Sequence, residues 1–187
     1  MTSVPLPPPI ERLRQVVEAD VRGLLASKPL PVEWFRRTDD DPGLFDRGAA
    51  VWRVHADRSG LIGGLRALLL QSLHPLAMAG VAGHSDYRND PWGRLQRTGA
   101  FIAVTTYGST SAAETAIDRV RRIHNRVTGT APDGRDYRAD DPHLLAWVPL
   151  TEVDSFLRSF ERYGSGRLSP GDADRYVAEM GEIGARL

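Results

Sequence analysis

The stretch LLLQSLHPLAMAGVAGHSDYRNDPWGRLQRT, which runs from Leu68 to Thr98, decides how the rest of the chain is interpreted. An apolar run at its start holds His74 and His84, and Pro75 directly follows the first histidine. Two arginines then occur in the pattern Arg-x-x-Arg-Thr. A histidine beside a proline in an apolar helix is compatible with a cofactor pocket and equally with ordinary packing, so the neighbouring segments must decide between the two.

The apolar segment Leu61–Gly83 is predicted to form a helix that is buried on most sides. Pro75 lies inside it and has no amide hydrogen, so the carbonyl of Gln71 loses its usual helical partner. The helix is therefore predicted to kink or break near His74. The segment is apolar enough to raise the question of a membrane, but Arg66 and the other polar residues within it favour a core helix and argue against membrane association.

The composition is that of an ordinary globular protein, and it excludes several kinds of site. The 187 residues suffice for one core, with 41% hydrophobic and 26% charged residues. The formal net charge is zero, which gives no electrostatic reason to expect nucleic acid or an anionic membrane as a partner. No cysteine is present, so disulfides, iron–sulfur clusters, cysteine-ligated zinc and thiolate-ligated haem are excluded. The N-terminus lacks the pattern of a secretory signal, and a cytoplasmic location is expected.

Turn and capping residues divide the chain into predicted helices. A proline-rich tail over 1–9 is expected to be disordered, and one helical domain over 10–187 is expected to follow it. The domain is predicted to begin with a helix over 10–26 and a surface connection over 28–48. Further helices are predicted to start at Asp90-Pro91 and run to about Tyr107, and to start at the capping box Ser111–Glu114 and run to Gly129. Two more are predicted to start at Asp141-Pro142, where Pro149 should bend or divide the helix, and at Ser169-Pro170. The sequence Pro132–Gly134 indicates a turn, which allows at most one small hairpin near 128–138. The predicted fold class is therefore all-α.

Three polar side chains share one face of the helix that is predicted to start at Asp90, namely those of Arg94, Arg97 and Thr98. Two arginines usually indicate a solvated helix face. The alternative is a polar cluster that lies above a haem or against its propionates. Arginine is permanently protonated, so neither arginine is expected to ligate iron itself.

His124 lies at the edge of the apolar stripe of the helix predicted to start at Ser111. One interpretation is a core histidine that is hydrogen-bonded to a neighbour. The other is an axial haem ligand or another metal ligand, because a neutral imidazole binds iron through one nitrogen. The residues alone leave both interpretations open.

His74 and His84 carry competing interpretations of their own. His74 either bonds the carbonyl that Pro75 frees or lies beside a cofactor. The sequence His84-Ser85-Asp86 matches the His-x-Asp fragment of facial-triad iron oxygenases, but that motif normally lies in a β-barrel and this chain is predicted to be helical. Glycine-rich nucleotide-binding, zinc-protease and serine-hydrolase motifs are absent from the sequence, so those classes have no support.

Seven blocks of sequence, in order across about residues 45–185, resemble the MpaB/rubber-oxygenase catalytic domain, a family that includes the latex-clearing proteins. The blocks are Leu69–Pro75, His84–Asp86, Trp92–Thr98, Arg122–Thr130, Asp133–Tyr137, Asp141–Trp147 and Glu179. Because the blocks occur in order, the resemblance is far more specific than any one of them.

This resemblance implies a helical fold with a globin-like core around a b-type haem. The characterised members cleave carbon–carbon double bonds of isoprenoid chains with dioxygen and give carbonyl products. By position in the motifs, His124 matches the proximal haem histidine, and Arg94 and Thr98 match polar residues on the other side of the haem. Arg97 stands where latex-clearing proteins have a lysine that can ligate the iron, so an open or water-filled distal position is expected.

The leading hypothesis is therefore a haem b-dependent oxygenase that uses dioxygen and acts on a hydrophobic, unsaturated or isoprenoid-like small molecule. His124 is the expected ligand of the haem iron, and His74 is expected to lie near the haem as a second cofactor-binding residue. Arg94, Arg97 and Thr98 are the expected catalytic residues. The apolar walls of the pocket are expected from Leu69, Leu73, Phe101 and Val104.

The alternative hypothesis is a non-catalytic helical member of the family that lacks a functional haem. Family domains usually continue with more helix beyond the position that matches Leu187, so the C-terminal part of the domain is expected to be missing. Pro149 also stands where the family often has histidine.

Overall fold

The computed structural model of this chain describes residues 30–187. The predictions for the tail over 1–9 and the helix over 10–26 lie outside the described residues. Within residues 30–187 the chain forms seven α-helices and one two-stranded sheet. The elements are α1 (Ala50–Ala56), α2 (Gly60–Gln71), α3 (Pro75–His84), α4 (Pro91–Tyr107), α5 (Thr110–His124), β1 (Thr128–Thr130), β2 (Asp136–Arg138), α6 (Pro142–Tyr163) and α7 (Pro170–Ala185).

The all-α fold class is confirmed, and the sheet is the small hairpin predicted near 128–138. Its strands are antiparallel, with Gly129 opposite Tyr137. Gly134 in the connecting turn has a φ of 84°, a conformation that glycine adopts without steric cost. The hairpin contacts α3, so it adds a wall to the helical body beside that helix.

The apolar run breaks at His74, as Pro75 predicts. Helix α2 ends at Gln71, α3 begins at Pro75, and the two helices are bent by 103°. The ring Nδ1 of His74 accepts a hydrogen bond from the amide of Ala77 (3.4 Å) and so caps the N-terminus of α3. His74 therefore has a structural role at the corner between the two helices.

The prediction that this run is buried on most sides is wrong for α2. One face of α2, continued by Leu73 two residues beyond its C-terminal end, carries large apolar side chains that are 45–71% exposed: Leu61, Ile62, Leu65, Leu69 and Leu73. The buried residues Gly63, Ala67 and Gln71 lie on a different face. Among residues 30–187, no single helix has both the length and the hydropathy to cross a membrane, although α2 and α3 meet that criterion as a bent pair by length and composition only.

Three of the predicted helix starts are confirmed by their capping hydrogen bonds. Asp90, Asp141 and Ser169 each accept a hydrogen bond from an amide in the first turn of α4, α6 and α7, respectively. Each is followed by a proline at the first helical position, where the missing amide hydrogen costs nothing. Helix α6 continues through Pro149, so of the two predicted effects of this proline, a bend or a division, the division does not occur.

Both predicted limits of α5 are wrong. Ser109 caps this helix by accepting from the amide of Ala112 (3.3 Å), whereas the hydroxyl of Ser111 donates to Asp41 (2.6 Å). The helix ends at His124 instead of Gly129, because residues 128–130 pair with the second strand of the hairpin. His124 is thereby the last residue of a helix and not an interior one.

The main core lies between α1, α6 and α7, and α2 packs tightly against α6. A side-chain carbon at Gly63 would lie 2.9 Å from a ring carbon of Phe156 and 3.0 Å from its Cα, so a larger residue would push the two helices apart. The buried core residues are Phe45, Ala49, Ala50, Val51, Val54, Phe156, Phe160, Tyr176, Met180 and Ile183. Phe45 belongs to this core although it lies in the segment that was predicted to be a surface connection.

Glu179, the last of the family-like blocks, reaches from α7 to cap α1. Its carboxylate oxygens accept hydrogen bonds from the amides of Ala50 (3.3 Å) and Val51 (2.7 Å). We expect Glu179→Ala to lower the free energy of unfolding by about 1–3 kcal/mol, because two amides at a helix N-terminus lose a charged acceptor. Urea denaturation measures this change. The exposed Glu182 on the same helix gives the control, for which Glu182→Ala is expected to cost less than about 0.5 kcal/mol; equal losses would contradict the capping role.

Candidate functional site

A cavity of about 470 Å³ lies at the corner between α2 and α3. Helices α4, α5 and α6 and the hairpin complete its lining. The lining is mainly apolar, with large side chains from Leu68, Leu76, Met78, Val81, Ile123, Val127, Leu144, Leu145 and Val148. Its size and apolar walls are typical of a pocket for a cofactor or small molecule.

His124 lines this cavity from the C-terminal end of α5. Its Nδ1 is buried and has no hydrogen-bond partner among the described residues. Burial lowers the pKa of His124, an effect that the nearby Asp140 partly opposes, so the ring is neutral at pH 7. A neutral imidazole with a free buried nitrogen has the donor chemistry that binds iron. The alternative prediction, a core histidine hydrogen-bonded to a neighbour, finds no partner at Nδ1 among the described residues.

Arg94 lines the same cavity from the first turn of α4. Its guanidinium is partly buried, and burial, together with the charge of Arg97, lowers its pKa. Glu152 acts in the opposite direction and raises that pKa, which places a carboxyl group within electrostatic range of the guanidinium. The cavity therefore brings together two of the residues that the sequence singles out, Arg94 and His124.

Glu152 and Gln71 are the polar neighbours that sequence reasoning missed as site residues. Burial raises the pKa of Glu152 to about 7, and the approach of Gln71 and the charge of Arg94 oppose this rise. Gln71 lines the cavity at the end of α2 and is 7% exposed. Although its amide lies against Glu152, its Nε2 makes no hydrogen bond of normal geometry among the described residues. Two features of the sequence could have pointed to these residues. Gln71 lies in the first family-like block, and Glu152 lies one helical turn after Val148 on the same face of α6.

The remaining predicted site residues do not line the cavity. Arg97 is 63% exposed at its side chain and pairs with Asp90 (3.4 Å). The Thr98 hydroxyl donates to the carbonyl of Arg94 (3.1 Å), one turn earlier on the same helix. His74 packs its ring against Trp147, with centroids 5.6 Å apart, in addition to capping α3. Direct roles for these three residues stay predictions.

His84 lines the cavity without forming the iron triad that its neighbours suggested. Its Nε2 lies 3.1 Å from the carbonyl of Thr128, and its ring stands edge-on to Tyr137. Asp86 is exposed and accepts a hydrogen bond from Asn89 (2.6 Å). In the part of the chain that the structure describes, no three His, Cys, Asp or Glu residues are grouped to hold a metal ion. A facial-triad centre therefore has no support within residues 30–187.

The predicted apolar walls are also wrong. Leu69 and Leu73 are 71% and 70% exposed, while Val104 lies in the protein interior and Phe101 packs against the main core. The walls come instead from the other faces of α2 and α3 and from α5, the hairpin and α6. Leu68 lines the cavity and the adjacent Leu69 does not, because consecutive residues of α2 lie on different faces of the helix.

These features define a helical protein in which an arginine and a neutral histidine share one apolar cavity. The family model described as "ER-bound oxygenase mpaB/B'/Rubber oxygenase, catalytic domain" matches residues 52–187, and the chain belongs to this family. The matched family is thus one of oxygenase catalytic domains.

Two curated relatives are similar to part of the chain. An uncharacterized protein of Mycobacterium bovis and one of Mycobacterium tuberculosis are each 30% identical over 97 residues, which is 52% of this chain and 38% of the relative. The chain thus spans well under half the length of these relatives. No solved structure matches, so the globin-like core stays a prediction.

Proposed function

We propose that this chain is a haem b-dependent oxygenase domain that acts with dioxygen on a hydrophobic, unsaturated or isoprenoid-like small molecule. The observation that carries the proposal is the shared cavity of His124 and Arg94 in a chain of this oxygenase family. No acidic or histidine cluster elsewhere in residues 30–187 offers a competing metal site.

His124 is the residue that fits the haem iron. Its neutral ring can ligate iron directly. Its Nδ1 is buried and has no hydrogen-bond partner among the described residues, so it is free to interact with a bound group. When bound, haem supplies the redox and dioxygen chemistry, which no side chain of this composition provides.

The other residues of the cavity bind, orient and exclude water. Arg94 cannot ligate iron, but its guanidinium holds an anionic or polar oxygen at a fixed place beside the cavity. Thr98 bonds the backbone of Arg94 and Arg97 lies one turn along the same helix, so both would act by positioning Arg94. The apolar walls take up the substrate and keep water away from the reacting atoms.

Titration of the purified protein with haem tests this proposal. We expect a Soret band in the wild type, and we expect His124→Ala to lose or shift it strongly because the iron loses its protein ligand. The exposed His143, which does not line the cavity, gives the matched control, and His143→Ala should keep the wild-type spectrum. Absence of a Soret band, or an unchanged band in His124→Ala, would overturn the assignment.

A second candidate function is a helical family member without a functional haem. The placement of Arg97 and Thr98 outside the cavity favours it, since two of the three expected catalytic residues do not reach the space. Thermal unfolding separates the two functions, because a native ligand at one hundred times its Kd stabilises a protein by about 2.7 kcal/mol. An unchanged Tm at saturating haem would establish the second function.

A further inference from the structure

The cavity has a polar end that is built from hydrogen-bond donors. Gln71 and Arg94 both line it, whereas most of the lining is apolar. Nε2 of Gln71 is buried and finds no acceptor of suitable geometry among the described residues. Because the neighbouring Glu152 does not meet this donor with normal hydrogen-bond geometry, the donor is available to an oxygen atom of a ligand at this end of the cavity.

The charge at this end of the cavity selects the kind of oxygen. Arg94 contributes a permanent positive charge that is partly desolvated, and a guanidinium recognises a carboxylate with two parallel hydrogen bonds. The neighbouring Arg97 adds to the positive potential. A molecule that fits both parts of the cavity has an apolar body and a carboxylate at one end.

Glu152 is the group that competes for Arg94. It lies on α6 beside Gln71 and Arg94, and its pKa is raised by burial to about 7. Tyr176 from α7 is the other titratable group in its range, and burial keeps that phenol protonated. From α2, Arg66 pairs with Asp154 (2.7 Å), and from α1, His55 lies against Phe156 and Tyr176. Arg94 is therefore the cation whose charge Glu152 offsets.

We propose that Gln71 and Arg94 bind the carboxylate of an otherwise apolar ligand, and that ionised Glu152 weakens this binding by competing for Arg94. The inference rests on the proposed function, because it places the ligand in the cavity that His124 and Arg94 share. It narrows the substrate class from any apolar molecule to apolar acids. A haem propionate has the same chemistry and would use the same two donors.

Binding of decanoate and 1-decanol to the haem-free protein tests the proposal. The two probes share a ten-carbon chain, and the carboxylate of decanoate stays ionised between pH 6 and pH 8.5. At pH 6 we expect the wild type to bind decanoate about tenfold more tightly than 1-decanol, as one charge-assisted contact allows. We expect this preference to fall as the pH rises to 8.5, because Glu152 ionises over that range.

Four variants separate the roles of the residues. Arg94→Gln should bind both probes equally, and Gln71→Leu should reduce the preference while keeping the apolar affinity. Glu152→Gln should keep the pH 6 preference at pH 8.5, whereas the exposed control Glu161→Gln on the same helix should behave as the wild type. Equal binding of the two probes by the wild type at pH 6 would refute the carboxylate site. A pH dependence that survives in Glu152→Gln would refute the competition.

Repeating the titration after loading with haem identifies the source of the carboxylate. If haem removes the preference for decanoate while 1-decanol still binds, a haem propionate takes the site, and a retained preference means that the substrate supplies the carboxylate. The haem-free measurement stands whether or not a Soret band forms, so failure of the proposed function and failure of this inference give different results.

Discussion

Truncation of Phe156 to alanine is expected to lower the free energy of unfolding by about 3–5 kcal/mol. The ring is 7% exposed and lies in a groove of α2 that is formed by Gly60, Gly63 and Gly64. It also contacts the ring of His55, with centroids 5.1 Å apart. Because the glycines have no side chains that can move into the vacated space, the cavity left by the substitution cannot collapse.

Urea denaturation of Phe156→Ala and of a control on the same helix measures this loss. Leu150 is 63% exposed, and Leu150→Ala is expected to change the free energy of unfolding by less than about 0.5 kcal/mol. Since natural domains are stable by only about 5–15 kcal/mol, the first variant is expected to be close to unfolding at 37 °C. A loss below about 1 kcal/mol would show that the α2 groove does not hold α6.

Glu152→Gln is expected to make stability strongly dependent on pH between about pH 7 and pH 4. The wild type contains two buried groups with opposite effects. Burial lowers the pKa of His55 from 6.5 to about 4. Between these pH values the unfolded chain binds a proton at His55 that the folded chain does not, so the free energy of unfolding decreases as the pH falls from 6.5 towards 4. Glu152 has its pKa raised from 4.5 to about 7, so stability is lost as the pH rises from 4.5 towards 7.

Each of these two effects amounts to about 3 kcal/mol over its range, because one pH unit corresponds to 1.36 kcal/mol. In the wild type they largely cancel, and the free energy of unfolding is expected to change little from pH 7 to pH 4.5. In Glu152→Gln the effect of His55 remains alone, reinforced in direction by the lowered pKa of His124, so stability should fall steadily with falling pH. The carboxylates with lowered pKa values titrate below this range.

Urea denaturation at half-unit intervals from pH 4.5 to pH 7.5 checks this prediction. Glu161→Gln, at an exposed position of the same helix, should reproduce the flat wild-type profile. A flat profile in Glu152→Gln would mean that His55 is not buried as a neutral ring, and a steep wild-type profile would mean that the two effects do not offset each other.

The local features of the fold could be predicted from sequence because their causes are local. Pro75 removes one amide hydrogen, and the break at His74 follows from that alone. Asp90 and Asp141 cap the helices that begin directly after them. The start of α5 was missed because Ser111 bonds Asp41, which is 70 residues away in sequence.

Burial could not be predicted, because it depends on where neighbouring helices lie. Leu69 and Ala67 are two residues apart on one apolar helix, yet Leu69 is 71% exposed and Ala67 is 2% exposed. The same dependence on packing explains why only part of the candidate site could be predicted. The family blocks located Arg94 and His124, which do share the cavity, whereas Glu152 acquires its raised pKa only through its burial in the folded chain, where α2 packs against α6.

The exposed leucine face of α2 bears on the colloidal behaviour of the protein. Charge repulsion between copies is weakest where the net charge is zero, and for this sequence that is at pH 7. Leu65, Leu69 and Leu73 lie one turn apart along that face, so self-association through them meets least resistance at the same pH. We therefore expect the protein to be least soluble near neutral pH and more soluble on both the acid and the alkaline side.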